Sequence, residues 1–121
     1  MNKRPKFIES ILGAQLSSVE FVQDYVQLHF DGPTLTLFVW PIITRGGQQY
    51  RRGQTGCYRD ELCDRIGRKV LEVVTDNADA ITIRFDDATS FAVSLKDEDR
   101  TGPETGYFSA SRDPSEPLLD F

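Results

Sequence analysis

A chain of 121 residues with a net charge of −5 has the size of one compact domain and a field that repels nucleic acids and anionic membranes. Its 39% hydrophobic and 27% charged residues exclude a disordered polymer. No apolar run approaches the roughly 18 residues of a membrane span, and the opening MNKRPKFIES is basic but lacks a signal-peptide core, so a soluble, cytoplasmic protein is expected.

In chain order, KFIESILG (6–13) places Ile8 and Leu12 at i, i+4 spacing, which predicts a short helix closed by Gly13. LSSVEFV (16–22) is strand-like in composition, but the spacing of three between Leu16 and Val19 fits neither period and marks a possible bulge. After the turn QDY, Val26, Leu28 and Phe30 alternate with Gln27 and His29, which predicts a strand with the first set buried and the second more exposed. DGP turns the chain into a third strand, TLTLFVW (34–40). The apolar run FVWPII (38–43) holds the only Trp, with Phe38 and Trp40 on one face and Leu37 and Val39 on the other. Core is the first reading for such a run, and an interface the second.

The next stretch, TRGGQQYRRGQTG (44–56), is Gly-rich, polar and basic, and reads as a long inter-repeat loop. YRDELCDRIG (58–67) then repeats the helical pattern with Leu62 and Ile66, again ending at a glycine, Gly67. VLEVV (70–74) is strand-like. Ile81, Ile83 and Phe85 alternate with Thr82 and Arg84, DDA makes a turn, and TSFAVSL (89–95) reads as a strand. Beyond it, Tyr107 and Phe108 fit a short strand, and a Pro-rich tail carries Leu118, Leu119 and Phe121, which are candidates to fold back on the body.

The two helices and their strands echo one another. Leu12-Gly13, Leu16 and Val19 recur as Ile66-Gly67, Val70 and Val73, an offset of 54 residues, and VQLHFDGPT matches ITIRFDDAT after one extra residue. The expected fold is α+β, mainly antiparallel β, with two helix-plus-three-strand meander repeats packed in one domain, residues 1–121. Repeat one covers about 6–43, the basic loop 44–56, repeat two about 57–95, and an acidic C-terminal segment 96–121. A single three-stranded meander has one apolar face and cannot stand alone, so the two are expected to pack as one sheet, sandwich or roll.

Catalytic constellations are scarce. Cys57 and Cys63 are too few for a structural zinc site and read as plain thiols, with Cys63 half-buried. His29, the only histidine, lies on the polar side of its strand; Asp86 and Asp87 belong to a turn that Asp favours for backbone hydrogen bonding. No nucleophile–base set assembles, so no enzyme, cofactor or metal is expected. Two stretches remain. The basic loop, with Tyr50, Arg51 and Arg52, is a candidate to cradle an anion or anchor a protein contact, though it lacks the Gly-Lys-Ser/Thr of a P-loop. SLKDEDRTGPE (94–104) gathers Asp97, Glu98, Asp99 and Glu104 just past a strand end. It reads either as a solvated loop or as an acidic docking surface.

The pattern IGxxVxxV…IxFxD from Ile66 to Asp87, followed by SLxxEDxxGPE from Ser94 to Glu104, resembles a group of small bacterial proteins without established activity. In size and acidity these are similar to the immunity proteins of bacterial toxin systems. The resemblance implies a protein-binding module that neutralises a basic toxin, such as a nuclease, by covering its substrate site, with no membrane or nucleic-acid partner. Asp97, Glu98, Asp99 and Glu104 would pair with Lys and Arg of the toxin, and exposed aromatics such as Tyr107 or Trp40 would anchor the contact. The alternative is a small-ligand or regulatory module that uses the basic Gly-rich loop.

Overall fold

The computed structural model describes residues 5–54, 56–111, 115 and 118–121. The basic N-terminal residues 1–4, and Asp113 and Glu116 of the acidic tail, lie outside the described residues. The fold is mainly antiparallel β with few helices. A 3-10 helix, Lys6–Ile11, is followed by β1 (Ser18–Phe21), β2 (Val26–His29), β3 (Thr34–Leu37), β4 (Ile42–Arg45) and β5 (Gln48–Tyr50). Helix α1 (Tyr58–Cys63) precedes β6 (Val70–Val74), β7 (Ala80–Phe85) and β8 (Ser90–Ser94); a second 3-10 turn, Asp97–Asp99, leads to β9 (Gly106–Ser109) and β10 (Leu119–Asp120). No helix among the described residues is long and apolar enough to cross a membrane.

The strands form two five-stranded sheets, in the orders β1-β2-β3-β9-β10 and β5-β4-β8-β7-β6. Each sheet contains one of the expected meanders, but the meanders are not the whole story. Strand β4 leaves the first half of the chain and pairs with β8, Ile43 opposite Phe91. Strand β9 leaves the second half and pairs with β3, Leu35 opposite Phe108. The halves therefore exchange strands. The inner faces meet in one core, where Val26, Leu28, Phe30, Leu35, Leu37 and Phe108 of the first sheet join Ile43, Ile81, Ile83, Phe85, Phe91 and Val93 of the second. Each such side chain contributes about 1.5–3 kcal/mol by leaving water. Gln27, His29, Thr82 and Arg84 lie half-buried on the outer faces, as the alternation predicts.

The echoing segments pair with each other. The Gly13 N–H donates to the Val70 carbonyl at 2.8 Å, and the Gly67 N–H donates to the Leu16 carbonyl at 2.7 Å. The Val70 N–H donates to Ala14 at 2.9 Å and the Leu16 N–H to Arg68 at 3.0 Å, around the bridge between Gln15 and Lys69. Adding 54 to one partner and subtracting it from the other converts each bond of a set into its counterpart. Both glycines hold positive φ, +84° at Gly13 and +91° at Gly67, so each redirects the chain out of its helical turn and into this shared ladder.

Four expectations need correction. The i, i+4 apolar pairs do not both face the core: Ile8 and Leu62 are buried, but Leu12 is 58% and Ile66 45% exposed. The first helix is 3-10, which aligns i with i+3, so Ile11 accompanies Ile8 inward. Helix α1 ends at Cys63, and the inward position three residues after Leu62 is Arg65, 5% exposed. Second, the bulge falls not near Leu16 but between Val70 and Glu72, facing Phe85 and Arg84. Third, residues 44–56 are not a long loop. Gly46 and Gly47, at φ +60° and +81°, make the tight turn of the hairpin β4–β5, a geometry that glycine adopts without strain. Fourth, the third strand stops at Leu37 rather than reaching Trp40: the Phe38 N–H still donates to the Thr105 carbonyl at 2.9 Å, one step further along the β3–β9 register, and beyond it the chain crosses to the other sheet.

An ion network takes the place of apolar packing beneath α1. Glu61 and Arg65 stand 54 residues after Phe7 and Ile11, and both are buried. Glu61 accepts from Arg45 Nε and Nη2, each at 2.8 Å, while Arg65 contacts Glu61 at 3.4 Å, Asp87 at 3.2 Å and the Thr89 hydroxyl at 2.9 Å. The Asp87 carboxylate also accepts from the Thr89 N–H, which is the turn role expected of it.

Candidate functional site

The crossing from β3 to β4 positions the only Trp. Val39 turns inward and is buried, Trp40 is half-buried, and Pro41 follows. The Tyr58 hydroxyl of α1 donates to the Pro41 carbonyl at 2.5 Å, which props the crossing against the helix; burial pushes this phenol far above its ordinary pKa, partly offset by the charge of Arg52. The indole is enclosed by aromatic and cationic neighbours. Phe21, at the end of edge strand β1, stacks on it at 6.3 Å with an interplanar angle of 15°. The Arg52 guanidinium lies 4.1 Å from the centroid of the Trp40 ring, and the Arg59 guanidinium 5.9 Å from that of Phe21. Arg52 also donates to the Gln23 carbonyl at 3.1 Å, which ties the turn following the hairpin to the β1–β2 turn.

Two clefts meet at Trp40. The larger, about 760 Å³, runs between Phe21, Trp40, Arg52, Tyr58, Arg59 and Asp60. The smaller, about 370 Å³, is bordered by Phe38, Trp40, Arg51, Arg52, Ser94 and Asp99. The basic stretch after β5 and the acidic turn after β8 therefore face each other across one tryptophan. A third groove, about 310 Å³, lies on the outer face of the first sheet among Tyr25, Thr36, Phe38, Tyr107 and Leu118.

The acidic residues singled out in the sequence occupy different settings. Asp97, Glu98 and Asp99 form the exposed 3-10 turn; Asp97 pairs with Arg100 at 2.8 Å, and Asp99 accepts from the Ser94 hydroxyl. Glu104 is half-buried beyond the turn at Gly102-Pro103. Of these acids Asp99 borders a cleft with Trp40. Tyr107 and Trp40 are both half-buried rather than exposed. Tyr107 lies on β9 opposite Thr36, its ring set edge-on to Phe38 at 5.6 Å and 82°, and Phe38 in turn borders the Trp40 cleft. The acidic turn, Trp40 and Tyr107 thus lie in sequence along adjoining grooves.

Arg59 and Phe21 were not legible as site residues. Phe21 lies on an edge strand and Arg59 on a helix surface, and only the fold brings them to Trp40. His29 bonds the Thr34 hydroxyl, on the rim of the third groove, at 3.0 Å and contacts Glu20 at 3.3 Å; it borders neither Trp40 cleft. Cys57 is exposed and Cys63 half-buried; burial, with Asp60 and Asp64 adding to it, pushes the Cys63 thiol up and away from the reactive thiolate. Among the described residues no three His, Cys, Asp or Glu side chains converge to hold a metal ion. No family model, curated protein or solved structure matches the chain.

Proposed function

We propose that the chain is a cytoplasmic protein-binding module, an acidic immunity-type inhibitor that neutralises a bacterial toxin by covering its basic substrate site, without chemistry of its own. One observation carries this reading: the exposed turn Asp97–Asp99 borders the cleft that holds Trp40. Steering charge and an aromatic anchor are thereby adjacent, the combination that gives a fast and durable protein contact. Glu98 and Glu104 widen the acidic surface, and Tyr107 extends it along the neighbouring groove. We read the chain as two copies of one helix-plus-three-strand unit, supported by the order helix, then three meander strands, in each half and by the reciprocal hydrogen bonds between residues 13–16 and 67–70.

The test starts from a toxin domain encoded beside this chain, or captured with it from the native host. Asp97, Glu98 and Asp99 are replaced together by Asn, Gln and Asn. The side chain of Asp97 is 89% exposed, and surface ion pairs of this kind contribute about 0–1 kcal/mol, so the melting temperature is expected to hold. The association rate should fall about tenfold, and the wild-type rate should fall as salt rises. A triple variant that binds at an unchanged rate and affinity would refute the assignment of this surface.

A further inference from the structure

Arginines in this protein divide into two groups. Arg45, Arg65, Arg68, Arg84 and Arg100 each form an ion pair with a carboxylate. Arg51, Arg52 and Arg59 form none among the described residues; Arg52 and Arg59 line the larger cleft, and Arg51 borders the smaller one on the other side of Trp40. Two of them are held over aromatic rings, Arg52 over Trp40 and Arg59 over Phe21. A chain of net charge −5 has thus gathered cations without counter-ions at one place, with Asp60 on the cleft wall and Asp99 beyond Trp40 as the nearby acids.

Guanidinium groups of this kind are able to meet an oxyanion, since their planar forks bind phosphate or carboxylate bidentately and stack on flat rings at the same time. The volume of about 760 Å³ suits a whole small molecule rather than a bare ion. The walls are planar: Phe21 and Trp40 lie 15° from parallel, and the Arg52 guanidinium lies against the indole. We propose that this cleft binds a small phosphate-bearing molecule with a flat ring, the chemistry of a nucleoside monophosphate. The oxyanion meets Arg52 and Arg59, and the ring lies along the Phe21–Trp40 wall.

Trp40 is the only tryptophan, so its fluorescence reports on the cleft directly. The intact protein is titrated at constant ionic strength with AMP, GMP, adenosine and inorganic phosphate. A saturable change is expected with AMP or GMP, at concentrations about tenfold or more below those needed for phosphate or adenosine, since each lacks one half of the contact. Arg52→Ala and Arg59→Ala should each weaken binding about tenfold. Arg52→Lys should recover only part, because an ammonium keeps the charge and loses the stacked plane. If Arg52→Ala lowers the melting temperature, Arg59→Ala on the exposed side of α1 decides alone. No saturable response to either nucleotide, an equal response to phosphate, or full affinity in the Arg59→Ala protein would overturn the proposal. The triple substitution at Asp97, Glu98 and Asp99 should leave nucleotide binding intact, so this site and the docking surface succeed or fail separately.

Discussion

Replacing Glu61 by Gln keeps the side chain's shape and removes its charge from between Arg45 and Arg65. The buried carboxylate accepts two hydrogen bonds of 2.8 Å from Arg45 and a longer contact of 3.4 Å from Arg65. Breaking a wholly buried ion pair costs about 3–5 kcal/mol, mostly because the remaining charge is left without a partner. Here Arg45 stands half in water and loses little, while Arg65 keeps Asp87 at 3.2 Å and Thr89 at 2.9 Å. The cost should therefore lie at the lower end, about 3 kcal/mol. With an unfolding entropy of about 2.1 cal/mol/K per residue, that lowers the melting temperature by about 12 °C. The pH dependence gives a second reading. Arg45's hydrogen bonds hold the Glu61 carboxyl below its ordinary value of 4.5, against the opposing effect of burial and with the charges of Arg45 and Arg65 adding to it. A depressed pKa in the folded state contributes stability that is complete above the ordinary value and disappears as pH falls through the lower, folded one. Urea denaturation should therefore show a constant gap between wild type and Glu61→Gln from neutral pH down to the ordinary carboxylate range, closing as pH falls through the lower value of the folded state. A neutral-pH loss under about 1 kcal/mol, or a gap that persists in acid, would refute the assignment of Glu61 as the charge that holds Arg65.

Gly67→Ala places a Cβ in open space but at φ +91°, so a loss of about 1 kcal/mol or more in urea denaturation is expected from backbone strain alone. Gly106→Ala is the steric counterpart: its Cβ would stand 2.2 Å from the Thr36 carbonyl oxygen and 2.9 Å from Phe121, forcing β3 and β9 apart at about 1–3 kcal/mol or more, read by the same method. Phe85→Ala removes a wholly buried ring set edge-on to Phe91 at 4.9 Å and should cost about 3–5 kcal/mol in thermal unfolding. Thiol labelling of the native protein should modify exposed Cys57 well before half-buried Cys63; equal rates would contradict the burial described for Cys63.

What the sequence reveals here is local periodicity, and it reveals that well. Val26, Leu28 and Phe30, and Ile81, Ile83 and Phe85, are all buried because a two-residue period on a half-buried strand admits no other register. The hairpin β4–β5 was hidden by its composition. Gly46-Gly47 between Thr44-Arg45 and Gln48-Gln49 reads as a polar linker, yet a Gly pair flanked by short extended runs is also what a tight hairpin requires. The exchange of β4 and β9 could not be read at all, since it depends on which sheet edges are free when the chain arrives, a property of the assembled fold. Nothing in the sequence marks Glu61 and Arg65 as buried, since charge ordinarily seeks water; only their mutual pairing, with Arg45 and Asp87, lets them lie inside. Of the acidic and aromatic residues proposed to bind a partner, Asp97, Glu98 and Asp99 share one turn as their proximity in sequence suggests and Glu104 lies beyond it, while the meeting of Asp99 with Trp40 required the crossing after β3.

That crossing has a consequence during synthesis. A ribosome that has released the first fifty residues has produced three strands of one sheet and a hairpin destined for the other. Strand β3 keeps an open edge until residues 106–109 emerge, and β4 has no partner until β8 exists. Neither half can mature first. Such non-local closure slows folding and leaves unpaired strand edges exposed in the meantime. Two unfinished chains that meet can satisfy those edges with each other's β4 or β9, so at high expression the characteristic by-product should be a strand-exchanged dimer with the same pairings as the monomer, separable from it by size and returned to it by dilution from denaturant.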